Sequence, residues 1–179
     1  MHKVRLHQKK RNYVSIYRSK IDDNAIHGYI LAHSDELLVV QYLYDFNLDG
    51  LMVLRVADIT EIRCSAADEF KKGLLLQEGL EQKVPFQAIF DLRDWRSLIT
   101  QFAREYPLLI IEREAGDEKD FFIGRIMKIT KTGVQAQFFS GVANWSESFE
   151  KLKFKDMTCC KVDSNYINVY QRHFERHAS

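Results

Sequence analysis

The sequence predicts a mainly β (α+β) fold: two tandem five-stranded small barrels with two connecting helices. Three observations carry that expectation. The stretch from Gly28 to Asp58 occurs again from Gly124 to Asp156. Within each copy, apolar and polar residues alternate at period two, the pattern of half-buried strands. Between the copies, apolar residues recur at helical spacing instead.

At an offset of 96 residues Gly28 falls on Gly124, Ile30 on Ile126, Leu38 on Val134, Gln41 on Gln137 and Tyr42 on Phe138. Upstream, VSIYRSKIDDNAIHG lies over IIEREAGDEKDFFIG without a gap. After Tyr42/Phe138 the second copy has two extra residues, and the offset becomes 98. Leu54 then meets Leu152, Val56 meets Phe154, Asp58 meets Asp156 and Thr60 meets Thr158. Two copies are too few for a solenoid and indicate a duplicated small domain.

Residues 1–12 are polar and basic and form an N-terminal arm, read either as a solvated end or as a contact for nucleic acid through Lys9, Lys10 and Arg11. Residues 13–64 are the first barrel, with a turn at His33–Glu36, a corner at Asp58 and its longest turn region at Tyr44–Gly50. Residues 65–107 are the connector. Ser65 with Asp68 resembles a capping box, Phe70 and Leu74 share a face, and Gly79 is a stop. Val84–Phe90 reads as an edge strand or an extended link. The second helix opens at Asp91, carries the stripe Leu92, Trp95, Leu98, Ile99, Phe102 and Tyr106, and ends before Pro107.

Residues 108–179 are the second barrel with a C-terminal tail. Phe122, Gly124, Ile126 and Lys128 alternate with their neighbours up to a Lys131–Gly133 turn, the signal of a hairpin. Leu152 and Phe154 alternate with Lys151, Lys153 and Lys155, a basic stripe that suits either an anion contact or edge protection. Asp156 turns the chain into MTCCKV. There Cys160 takes the place of core residue Ile62, and Cys159 takes that of Glu61 and is expected to face out. The tail, with Tyr166, Ile167, Val169, Tyr170 and Phe174, is a short strand or helix on the second barrel.

The strand order, the second-strand glycines and the Asp-Ile-Thr and Asp-Met-Thr corners resemble Sm-like or SH3-like small barrels. LDGLMVLRVADITEIR, FFIGRIMKITKTGVQ and YINVY together resemble an uncharacterised bacterial family with two such halves. That resemblance implies the fold and no activity. Sm-type RNA sites use an Asp and an Asn after the second strand. The turns here, His33-Ser34-Asp35-Glu36 and Lys131-Thr132-Gly133, have no Asn.

Composition narrows the function. Apolar content of 46% and charged content of 28% are those of a globular protein. No apolar run approaches the roughly 20 residues of a membrane helix. Three cysteines, two adjacent, make no disulfide framework, and reduced thiols fit a cytoplasmic location. The net charge of +1 hides asymmetry, since residues 1–20 hold seven basic groups and no acids. That arm can equally dock on the acidic middle of the chain.

Phosphate-binding loops, dinucleotide glycine series and nucleophile elbows are absent from the sequence. Glu112, Glu114, Asp117, Glu118 and Asp120 lack calcium-loop spacing and read as a solvated turn. His173 and His177 have i, i+4 spacing without a readable third ligand. No cofactor, metal or small-molecule substrate is inferred. The expectation is a non-catalytic interaction module that binds a protein partner or itself, with Phe46 and Trp145 as candidate contacts. The alternative is an RNA-binding protein using the arm (Lys9, Lys10, Arg11) and the Lys151/Lys153/Lys155 stripe.

Overall fold

The duplication extends beyond the strands. In the computed structural model, which describes residues 2–114 and 119–177, the chain runs α1 (His2–Lys9), β1 (Tyr13–Arg18), β2 (Asp22–His33), β3 (Leu37–Tyr44), β4 (Asn47–Arg55), a 3-10 turn (Val56–Asp58), β5 (Glu61–Arg63) and α2 (Ala66–Gln77). A short 3-10 turn (Glu81–Lys83) follows. The order then repeats as α3 (Trp95–Glu105), β6 (Leu109–Arg113), β7 (Asp120–Ile129), β8 (Gly133–Phe138), β9 (Glu150–Lys153), a 3-10 turn (Phe154–Asp156), β10 (Cys159–Val162) and α4 (Asn165–Arg176). No helix is long and apolar enough to cross a membrane among the described residues.

The strands do not close into two barrels. They form one ten-stranded antiparallel sheet in the order β5-β1-β2-β3-β4-β10-β6-β7-β8-β9. Each half keeps the order last-first-second-third-fourth. Closure of the first half would need the outer edge of β4, but β10 of the other half occupies it, with Cys159 opposite Leu54 and Val162 opposite Leu51. The exposed-edge problem of a small sheet is thus met by joining the halves edge to edge.

The repeat is preserved bond by bond. Ser34 N donates to Leu37 O and Thr130 N to Gly133 O; Val56 N donates to Glu36 O and Phe154 N to Thr132 O. At the two corners Thr60 N donates to Tyr17 O (2.8 Å) and Thr158 N to Glu112 O (3.0 Å), and each threonine hydroxyl donates to the same carbonyl as its own N–H. Against its third strand each second strand carries one irregularity, at Ile30/Ala32 and at Ile126/Lys128; β2 has a further one against β1, between Ile26 and Asp22, that the second half lacks. Only the first strands depart from the ungapped alignment. Val14 pairs with Gly28 and Leu109 with Gly124, which makes the offset there 95.

Matching residues of the halves lie on opposite faces of the shared sheet. Val14, Ile16, Ile30, Leu38, Val40, Met52 and Leu54 pack together with Cys159. Their counterparts Leu109, Ile111, Val134 and Leu152 join the other cluster, with Cys160. Adjacent strand residues point to opposite faces, so β10 feeds both cores. Cys159 is therefore fully buried rather than outward-facing, because its strand lies mid-sheet with both faces covered.

The helices cover these faces unequally. On α3 the side chains Trp95, Leu98, Ile99 and Phe102 are all buried, each contributing about 1.5–3 kcal/mol. The helix starts at Trp95, later than Asp91, because Asp94 caps it by accepting from Ser97 N. On α1 only the half-buried Val4 packs on the first-half core. Residues 2–9 are nonetheless a helix rather than a free arm, tied down by Gln8 Nε2 donating to Leu31 O and by Lys72 Nζ donating to Arg11 O. Residues 84–90 form no strand. The Ser65/Asp68 capping box is present, and Asp68 also accepts from Ser15 Oγ at 2.7 Å, which ties α2 to β1.

Candidate functional site

Two strand edges are open among the described residues: β5 and β9 end the sheet and pair on one side only. Phe154 N donates to Thr132 O across β8–β9, so Phe154, Leu152 and Glu150 direct their backbone groups to β8. By alternation, Lys151 and Lys153 direct theirs outward. Their side chains are exposed while Leu152 between them is buried. Lys151 and Lys153 thus flank an edge whose outward N–H and C=O groups pair with no strand among the described residues, whereas Lys155 lies in the 3-10 turn that follows and its C=O accepts from Arg55 Nη1.

Beside β5 lies an apolar groove of about 270 Å³, lined by Val4, Leu38, Val56, Ile59 and Ile62, with Lys3 and Glu61 at its rim. It exists because α1 covers the first-half core so thinly. In the second half the matching surface, Phe154, Met157 and Cys160, sits in the large core with Leu51 and Val53 of β4. The sequence signal for this groove is the polarity of residues 2–9, which leaves α1 few apolar side chains to cover the core.

The aromatic candidates separate. Tyr44 pairs with Asn47, so the turn between them is only Asp45-Phe46, both at positive φ (46° and 59°), and not a long loop. Phe46 is exposed at this tip. Trp145 instead packs into the cluster under α4: its ring centroid is 4.7 Å from that of Phe174 and 5.4 Å from that of Phe139, and the Arg125 guanidinium lies 4.5 Å above it. A second groove, about 720 Å³, runs between the β3–β4 hairpin and α4 and is lined by Tyr44, Leu48, Tyr166, Val169 and Tyr170.

The basic candidates also separate. α1, with Lys9 and then Lys10 and Arg11, packs on β2, whereas Lys151 and Lys153 lie on the opposite end strand of the sheet order. Arg11 stacks 4.5 Å from the Phe86 ring centre.

The carboxylates read as a solvated turn are instead held in ion pairs. Glu114 receives two hydrogen bonds from Arg18 (2.6 and 2.9 Å), Glu112 pairs with Lys161 (2.7 Å) and Asp120 with Arg113 (2.5 Å). Asp117 and Glu118 lie outside the described residues. Burial pushes the Glu114 pKa up, but hydrogen bonds from Arg18 and Thr158 outweigh it and the net shift is downward. Burial likewise opposes the charge on Lys161, and its acidic neighbours outweigh that, for a net upward shift. Both groups remain charged, which suits a clamp between β1, β6 and β10. No cluster of three or more metal-ligating side chains occurs among the described residues. Compared with known proteins, the chain matches no family model, no curated protein and no solved structure.

Proposed function

We propose that the chain is a non-catalytic interaction module that binds a protein partner, or another copy of itself, by adding a strand to its open edges. The observation that carries this reading is the β4–β10 junction. The two halves already associate by edge-to-edge addition, and the corresponding edges β9 and β5 remain open. Main-chain hydrogen bonds supply affinity in such contacts, and flanking pockets supply selectivity. The groove beside β5 is such a pocket.

The test is panning of a displayed random-peptide library against the full chain and a Lys151→Pro variant. Proline removes an outward N–H and leaves the β8–β9 ladder intact, as edge strands tolerate. The expected result is enrichment of peptides with alternating apolar residues, some of which lose binding to the variant. Binding indifferent to the edges overturns the reading. So does RNA binding that weakens steeply with salt and disappears when Lys9, Lys10 and Arg11 are replaced.

A further inference from the structure

The internal junction specifies more than the existence of sticky edges, because it is built from two surfaces that each occur twice. The β4 surface recurs as β9 and the β10 surface recurs as β5, both at an offset of 98. We infer that β9 of one chain pairs with β5 of a second copy, head to tail, in the register of β4 on β10. This rests on the edge-binding reading and names its partner.

The register follows from the internal pairs. Leu54 opposite Cys159, Val53 opposite Cys160 and Met52 opposite Lys161 become Leu152 opposite Glu61, Lys151 opposite Ile62 and Glu150 opposite Arg63. One step further, Leu51 opposite Val162 becomes Phe149 opposite Cys64. Arg55 N donates to Thr158 O at the internal junction, so residues 55, 53 and 51 bond across it. Their counterparts at 153 and 151 are the residues whose backbone groups point out of β9.

The side chains at these positions complement one another. Phe149 is 52% exposed, a large apolar group flanking an open edge. In this register it lies on the face of Ile62 and Cys64, next to the groove of Val56, Ile59 and Ile62. Leu51 and Val53 fill the matching space in the second half. The stem of Lys151 covers the place of Val53 and keeps its ammonium in water. Glu150 and Arg63 bring opposite charges directly across the strands, a favourable cross-strand pair.

The contacts flanking the junction have counterparts too. Asp49 Oδ1 accepts from Asn165 N at the start of α4. Glu147 holds the place of Asp49 and faces the start of α2, where a carboxylate is favoured by the helix dipole. Arg55 Nη1 donates to Lys155 O, and Lys153 occupies its place. Three of the four internal pairs are apolar and buried, the exception being Met52 opposite Lys161, whereas the external ones set Leu152, Ile62 and Phe149 beside polar partners or Cys64 and include one pair of opposite charges. That difference fits reversible association of folded chains. Because the two surfaces differ, the contact is heterologous and adds chains in one direction.

The experiment uses the full chain with Cys64→Ser as background. Arg63→Cys and Glu150→Cys are made separately, mixed, and oxidised mildly. These positions form a non-hydrogen-bonded pair, whose Cα separation lies within disulfide range. The expected result is a disulfide-linked dimer from the mixture, with neither variant linking to itself. Sedimentation of the unsubstituted chain should show mass rising with concentration, a rise abolished by Lys151→Pro. A chain that stays monomeric, or oligomers insensitive to Lys151→Pro with no mixed disulfide, overturns the inference. If such a chain still binds displayed peptides through its edges, the edge reading survives while self-association falls.

Discussion

Arg18 and Glu114 bind each other through two hydrogen bonds of 2.6 and 2.9 Å, with side chains only 6% and 14% exposed. One belongs to the first half and the other to the second. Removing either partner leaves a buried charge alone, which costs about 3–5 kcal/mol. Arg18→Met is therefore expected to lower stability by that order in urea denaturation. The double variant Arg18→Met/Glu114→Gln should recover much of the loss, since replacing both charges is far less costly than orphaning one. A double variant whose loss equals the sum of the losses of Arg18→Met and Glu114→Gln made singly would show that the pair is not coupled.

The sequence carried the duplication, the hairpins, the threonine corners, the capping box at Ser65 and the α3 stripe, because each is written in local spacing. What it did not carry was the pairing of β4 with β10. Two independent barrels and one shared sheet place the same apolar residues in the same strands. They differ only in which edge meets which, and that choice leaves little mark on alternation. Cys159 shows the consequence: its polar counterpart Glu61 made it look outward-facing, and only the central position of β10 buries it. Glu112 and Glu114 look like part of a solvated turn for the same reason, since their partners Lys161 and Arg18 are distant in sequence. The open edges and the groove beside β5 were illegible until that sheet order was known.

Three histidines give the fold a pH dependence distinct from that of its carboxylates. Burial lowers the pKa of His7, His27 and His33 below their ordinary value near 6.5. The folded chain thus binds fewer protons than the unfolded one below that pH, and stability falls as pH drops through it. The lowered pKa values of Asp68 and Glu114 add a second loss at more acid pH, below the unfolded carboxylate range. Thermal midpoints recorded from pH 7.5 to 5 should therefore decline before the carboxylates titrate. His27→Gln, which keeps a polar partner for Ser15, should flatten that first decline. An unchanged slope would remove His27 from the account.

The thiols divide by burial. Cys159 and Cys160 are fully buried, and burial raises both pKa values, so neither forms an available thiolate. Cys64 is half-buried at the end of β5, and its pKa is also raised, chiefly by burial. Titration with a thiol reagent should therefore give one slow reaction in the folded chain and three fast ones in urea. Rapid modification of Cys159 in the folded chain would mean that β10 is not held between β4 and β6.

Phe46 occupies a backbone conformation that suits glycine. Its φ of 59° follows Asp45 at 46°, and this two-residue turn joins paired Tyr44 and Asn47. Turns of this kind favour Asp-Gly, and an ordinary side chain in the left-handed region costs roughly 1–2 kcal/mol. Phe46→Gly relieves that strain but loses more conformational freedom on folding, so the expected gain is about 1 kcal/mol. Exposed as Phe46 is, little packing is lost to offset the gain. Urea denaturation of the variant beside the unsubstituted chain measures it directly. A loss of stability instead would mean that the ring makes contacts worth more than the strain, and would return Phe46 to the structural core of its hairpin.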